Sequence, residues 1–119
     1  MITHPTVEEL QHAAKHFEAG DAARDAYLAR VAANARAIVA REHDLGPAFK
    51  AAAVARLSKL LGQTGDFETL NAALCDSLAA GTLDFSTPGL FDHLRETAIA
   101  QVLIDQPAYS GLNAFKDDR

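Results

Sequence analysis

The segment that most constrains the fold is YLARVAANARAIVARE, residues 27–42, which is the middle and end of the longest uninterrupted helical pattern in the chain. Five alanines lie between positions 29 and 37, and alanine has the highest helix propensity of the amino acids. At about 100° per residue, one face of this helix collects the apolar side chains. They are Leu28, Val31, Ala35, Ile38 and Val39. The segment therefore predicts a long amphipathic helix, thin enough for a neighbouring helix to approach closely.

A polar column on the same segment supplies the first candidate site. Arg30, Asn34 and Arg41 recur at helical spacing and stack along one side of the helix. Glu42 falls on the apolar face, where a carboxylate needs a partner or access to water. We interpret these groups as ties between packed helices, because such polar columns commonly set packing register. The alternative is a binding site for a small anion or an acyl carrier, with Arg95 added to the column.

Length and composition indicate a single domain. A chain of 119 residues can bury a sufficient core without disulfides or metals. We expect one helical domain over residues 1–119, with an ordered core at about 5–107 and a C-terminal arm at 108–119. The single cysteine, Cys75, cannot form an internal disulfide, which favours the cytoplasm. Its position at the edge of an apolar stripe predicts a small core residue.

Charge and hydropathy exclude several classes of partner. The formal net charge is −5, yet residues 24–59 carry seven basic against three acidic residues, a local balance of +4. General nucleic-acid binding needs a basic surface, so we expect no nucleic-acid partner. The basic middle suits a small anion or an acidic patch on a protein. A membrane span needs about eighteen or more apolar residues in a row. Since the chain has no such run, we expect no membrane partner.

Local start and stop signals divide the first half of the chain into helices. Thr6 and Glu9 have the spacing of a capping box, which predicts a helix start. A second helix is predicted to begin between residues 21 and 24 and to end near residue 42. The sequence DLGP at 44–47 is predicted to break it, because proline suits the first turn of a new helix.

Three further helices complete the predicted fold. The third covers residues 47–61, and the fourth begins after the N-cap Asp66 and ends at Gly81. The fifth is predicted to begin at Thr87, as N-cap, and to end before Pro107. No strand or hairpin signal occurs. The sequence therefore predicts an all-α, single-domain bundle of about five helices joined by short turns.

The fifth helix is apolar nearly all round over residues 98–104, AIAQVLI. Such a helix must be covered on every side. It is therefore predicted either to run through the centre of the bundle or to face another subunit. Asp92 and His93 are placed by the same pattern on the outer face, which is too exposed for a catalytic pair.

No motif in the chain predicts catalysis or metal binding. His12 and His16 have the i, i+4 spacing of metal ligands, but the segment between them lacks the glutamate of a zincin helix. We interpret both as surface residues, and we expect no metal and no other cofactor. Since no nucleophile, base and orienting group can be assembled from the sequence, we name no catalytic residue and expect the protein not to be an enzyme.

Four short motifs give the chain a resemblance to a known family. They are His4-Pro5-Thr6 with Glu9-Leu10, Arg30–Ala35 with Ile38-Val39 and Arg41-Glu42, Gly65-Asp66 with Leu70-Asn71, and His93-Leu94-Arg95. With these motifs the chain resembles a family of small bacterial domains of unknown function, from about residue 4 to residue 109. The RVAANA block is the most specific of the four.

The resemblance implies an all-helical fold and assigns no activity. It also implies genes placed beside those of aminoglycoside-phosphotransferase-like kinases and acyl-CoA-dehydrogenase-like enzymes. We therefore expect a non-enzymatic accessory module that docks on one of these enzymes or self-associates as a homodimer. The polar side chains proposed as ligand or interface residues are Arg30, Asn34, Arg41, Glu42, Asn71 and Arg95.

Overall fold

The computed structural model describes residues 4–16 and 22–116, and every regular element in those ranges is helical. The elements are α1 (Val7–His16), α2 (Ala22–Leu61), α3 (Phe67–Ala80), α4 (Leu90–Asp105), a 3-10 turn (Ser110–Leu112) and α5 (Asn113–Lys116). The predicted all-α class with about five helices is confirmed. Within the described ranges, no helix is both long and apolar enough to cross a bilayer.

The chain forms two compact units, the first ending at Gly46 and the second beginning at Pro47. The division falls within α2, whose residues belong to both units. Each unit has its own cluster of buried apolar side chains.

The predicted break at residues 44–47 is wrong, because α2 is one helix of 40 residues with Pro47 inside it. A proline in a helix removes one hydrogen bond and costs about 3 kcal/mol. Strong helix formers on both sides favour continuation, and α2 has buried side chains both before and after the proline, such as Val39 and Ala53. Local proline chemistry is therefore outweighed by propensity and packing.

Gly46 serves close packing inside α2 rather than termination of a helix. The carboxylate of Glu42 lies against it, and a Cβ built on Gly46 would be 3.2 Å from Glu42 Cδ and 3.3 Å from Oε2. Glu42 is half-buried, with its Oε2 atom fully buried. A larger residue at position 46 would therefore displace this carboxylate.

In the first unit, α1 begins at the predicted capping box, which is confirmed. The Thr6 backbone N–H donates to Glu9 Oε2 at 3.0 Å, and the Glu9 N–H donates to Thr6 Oγ1 at 3.1 Å. One buried cluster of this unit consists of small side chains. They are Ala14, Ala32 and Ala35, with the partly buried Leu10 packed against them. The predicted start of the second helix at residues 21–24 falls partly outside the described residues.

In the second unit, α3 is capped as predicted at both ends. Asp66 Oδ1 accepts a hydrogen bond from the Thr69 N–H at 2.8 Å, and Gly81 ends the helix in the left-handed region with φ of 76°. The core of this unit consists of large side chains. They are Leu57, Leu70, Leu74 and Leu90. Burying a leucine fully contributes about 1.5–3 kcal/mol, so this cluster contributes several kcal/mol to the stability of the second unit.

Two local predictions in the second unit are wrong. The N-cap of α4 is Gly89 and not Thr87. Thr87 Oγ1 instead accepts a hydrogen bond from the Asp84 N–H at 3.0 Å, which closes the preceding turn. Cys75 is exposed, because the core-facing position of that helical turn is taken by Leu74, only 3 % exposed.

Candidate functional site

Helix α4 has two apolar faces, and only one of them lies in the core. His93, Ala100 and Ile104 are buried, with Ile104 fully enclosed. At 100° per residue, the opposite face of the helix carries Phe91, Ala98 and Val102. The second face therefore needs another covering element.

The C-terminal segment covers part of this second face. Residues 110–116 form the 3-10 turn and α5, and Leu112 is buried at 5 % exposure. Gly111 lies directly against the ring of Tyr109, since a Cβ built there would be 2.6 Å from Tyr109 Cζ. Only glycine permits this ring position. The C-terminal segment is thus attached to the rest of the second unit by the buried Leu112 and by the Phe115 ring, which lies against Arg95 of α4.

An apolar groove of about 550 Å³ remains between α4 and the C-terminal segment. Its lining consists of Phe91, Leu94, Arg95, Ala98, Ile99, Val102, Tyr109, Gly111, Leu112 and Phe115. Residues 98–104, which the sequence showed to be apolar nearly all round the helix, are therefore only partly covered by the chain itself. Ala98 stays exposed and Val102 partly so, and both face the groove.

The groove concentrates the exposed apolar surface of the protein. Eight large apolar side chains are exposed in the described part of the chain, and four of them line this groove. These are Phe91 at 71 %, Tyr109 at 55 %, Leu94 at 46 % and Phe115 at 37 % exposure. A contiguous apolar surface of this kind typically marks an interaction or ligand site.

Arg95 is the one charged residue in the described lining of the groove. Its guanidinium carbon lies 5.2 Å from the centre of the Phe115 ring, within the range of a cation–π interaction. Arg95 was a candidate from the sequence, and the structure brings it to this groove. The sequence contained no signal that Phe115 would be its partner.

The other residues proposed from the sequence lie elsewhere. Arg30 and Asn34 are exposed in the first unit, where Arg41 is half-buried. Glu42 packs on Gly46 as described above, and Asn71 is exposed on α3. None of these five lines the groove.

A buried polar cluster in the second unit was missed by the sequence analysis. Arg56 Nε donates to His93 Nδ1 at 3.1 Å, and Arg56 Nη2 donates to Thr97 Oγ1 at 3.4 Å. The prediction that His93 lies on an outer face is wrong, since it is only 2 % exposed. Because α4 is apolar on both sides, periodicity could not identify the buried face. The available signal was the helical spacing of His93 with Thr97, Ala100 and Ile104.

Burial and the positive charge of Arg56 both lower the pKa of His93. Burial lowers the pKa of His93 below 6.5, and the nearby Arg56 guanidinium lowers it further. Since Nδ1 accepts the hydrogen bond from Arg56, the imidazole is neutral with its proton on Nε2. The cluster is therefore a neutral histidine that orients a cation.

Metal ligands do not gather in the described residues. No group of three or more His, Cys, Asp or Glu side chains there could hold a metal ion. Of the two histidines considered from the sequence, His12 is exposed, and the side chain of His16 lies outside the described part.

The comparisons with known proteins yield one finding. A family model described as "Domain of unknown function (DUF6285)" matches residues 20–109. No curated protein and no solved structure matches the chain. The matched range includes all of α2, α3 and α4.

Proposed function

The chain belongs to the DUF6285 family of domains of unknown function, and from the groove on α4 we propose that it is a non-enzymatic module that binds an amphipathic helix of a partner protein. The observation that carries the proposal is the gathering of four exposed, large apolar side chains at one groove. Binding of a helix in a groove is a common mode of recognition between proteins.

The exposure of the groove walls favours a protein over a small molecule. Phe91 and Tyr109 are more than half exposed. A small ligand on the groove floor would leave their outward surfaces in water, whereas a partner helix would also cover the rims. Aromatic side chains at such positions commonly contribute most of the binding energy.

Charge favours a different protein over a second copy of this chain. The groove carries one charged residue, Arg95. An isologous contact centred on the groove would bring two Arg95 side chains towards each other, and like charges at an interface are unfavourable. A partner helix with an apolar stripe avoids this repulsion.

The composition of the groove supports a binding role rather than a catalytic one. Its described lining contains no carboxylate, histidine, serine or cysteine, which are the usual acids, bases and nucleophiles. The kinase-like and dehydrogenase-like proteins implied by the family resemblance are the first partners to test.

The first experiment is light scattering after size exclusion, with the chain alone and mixed with each of these two enzymes. We expect a monomer alone and a defined complex with one enzyme. Leu94→Asp should weaken that complex at least tenfold, because it places a carboxylate on the groove wall. Phe85→Ser is the matched control, since Phe85 is 94 % exposed and does not line the groove.

Three outcomes would contradict the proposal. One is a chain that stays monomeric and binds neither enzyme. Another is a complex that Leu94→Asp and Phe85→Ser weaken equally. The third is a dimer of the chain alone that Leu94→Asp dissociates, which would mean that the groove is a self-association surface.

A further inference from the structure

A second cavity lies in the second unit, away from the groove. It measures about 390 Å³, and two of its lining residues are basic. The lining consists of Arg56, Lys59, Leu60, Pro88, Gly89 and Asp92. It shares no lining residue with the groove, so it is independent of the function proposed above.

Arg56 enters this cavity with its orientation already set. Its Nε and Nη2 atoms donate to His93 and Thr97, which are both uncharged acceptors. Arg56 is half-buried, and no carboxylate among the described residues forms an ion pair with it or with Lys59. Charged groups withdrawn from water are usually paired. The half-buried Arg56 has no ion pair among the described residues, and its cavity is lined by two basic residues and one acidic residue, so the remaining positive charge is a chemical signal for an anionic ligand.

Lys59 and the backbone at the start of α4 also favour an anionic ligand in this cavity. Lys59 lies one helical turn beyond Arg56 on α2, so both side chains reach the same cavity. Gly89, the N-cap of α4, has a φ of 86° and provides no side-chain cap for the first turn. The positive end of the α4 dipole therefore lies at this cavity, where it is offset only in part by Asp92 in the first turn of the helix.

We propose that this cavity binds a phosphoryl group, either as free phosphate or as part of a small phosphomonoester. Arginine suits this ligand because its planar donors match phosphate oxygens, and lysine adds a compact positive charge. The neutral His93 and Thr97 are positioning residues that hold the guanidinium. Asp92 also lines the cavity, and its negative charge opposes the ligand and weakens its binding.

The test is titration of the full chain with inorganic phosphate and, separately, with methyl phosphate, followed by calorimetry and thermal unfolding. Sodium chloride at equal ionic strength is the reference. We expect saturable binding, and a rise in Tm beyond that produced by chloride. The tighter of the two ligands then identifies whether free or esterified phosphate is the preferred form.

Two exposed positions test the site without disturbing the core. Lys59→Gln should weaken phosphate binding about threefold or more, and Asp92→Asn should strengthen it about threefold, as expected when one solvent-screened charge is removed from the cavity lining. Arg30→Gln is the matched control, because it removes an exposed charge from α2 in the first unit. It should leave the phosphate affinity unchanged.

The proposal is overturned if phosphate acts no differently from chloride. It is also overturned if Lys59→Gln and Arg30→Gln weaken binding equally, or if Asp92→Asn fails to strengthen it. Because both variants at the cavity replace exposed side chains, a folded protein is available for each measurement. The groove experiment above is unaffected by any of these results.

Discussion

Arg56 and His93 form a hydrogen bond of 3.1 Å in which the histidine is the acceptor. This arrangement exists only while the imidazole is neutral, because a protonated Nδ1 has no lone pair to offer. Protonation would also place a second positive charge beside a guanidinium in a buried site. The stability of the second unit is therefore linked to the protonation state of a single residue.

We predict that stability falls at acidic pH through His93. Burial and Arg56 hold its pKa in the folded state below 6.5, so the unfolded chain takes up this proton first as the pH falls. The contribution is fully present above pH 6.5 and is lost as the pH falls through the folded-state pKa, by at most about 1.4 kcal/mol per pH unit for one proton. Urea unfolding at pH 7.5 and 5.5 measures this loss.

His93→Gln provides the comparison, since its amide oxygen can still accept from Arg56 but does not titrate. This variant should lose less stability than the parent protein between the two pH values. Asn71→Ala, an exposed and non-titrating change on α3, should keep the parental pH dependence. Equal losses in the parent protein and in His93→Gln would show that other groups cause the acid sensitivity.

At the scale of the elements, α2 differs most from what local sequence predicts, because it continues through an internal proline. Proline lacks the N–H that would bond four residues back, and it disfavours helical dihedrals in the residue before it. Here that preceding residue is Gly46, which lies under the Glu42 carboxylate. The helix nevertheless runs from Ala22 to Leu61, so it carries a local cost at its middle.

Removing that cost should stabilise the protein. We predict that Pro47→Ala raises the free energy of unfolding by about 1–3 kcal/mol, because it restores a backbone donor and replaces proline by the best helix former. Chemical denaturation followed by circular dichroism measures the change. Pro88→Ala is the control, since Pro88 lies outside the helices and should change stability by no more than about 0.5 kcal/mol. A destabilised Pro47→Ala would show that the proline ring itself makes a favourable contact.

At the scale of the whole molecule, the two units differ in what they bury. The first has a cluster of alanines, and the second has a cluster of leucines. Apolar stabilisation grows with buried area at about 25 cal/mol per Å², and alanine side chains contribute little area each. The first unit also buries Leu28 and Val39, but its alanine cluster contributes less apolar free energy than the leucine cluster of the second unit.

Hydrogen exchange should reveal this difference. We predict that amides of α1 exchange at least about tenfold faster than those of α3, because local opening follows the local burial of apolar surface. Leu57→Ala should cost about 2–5 kcal/mol and reduce protection in α3, since Leu57 is fully buried in that cluster. Leu78→Ala is the matched control at 38 % exposure, and it should leave protection nearly unchanged. Equal exchange in α1 and α3 would contradict the proposed division of apolar stability.

The sequence alone was sufficient for features that depend on near neighbours. Its alanine and leucine content predicted helices, and three-residue spacings predicted the caps at Thr6 and Asp66. These interactions form between residues three positions apart, so the local sequence contains all their information. The RVAANA block and three weaker motifs also predicted a family of domains of unknown function, and the family match over residues 20–109 confirms that prediction.

Only the tertiary structure decided the features that depend on distant residues. Arg56 and His93 are 37 positions apart in the sequence, and α4 is apolar on two faces, so no periodicity could select the one that is buried. The groove exists because the C-terminal segment returns to α4 and places Phe115 beside Arg95. The continuity of α2 was likewise decided by packing on both sides of Pro47. In each case the deciding free energy comes from contacts between separated segments, which a local pattern does not contain.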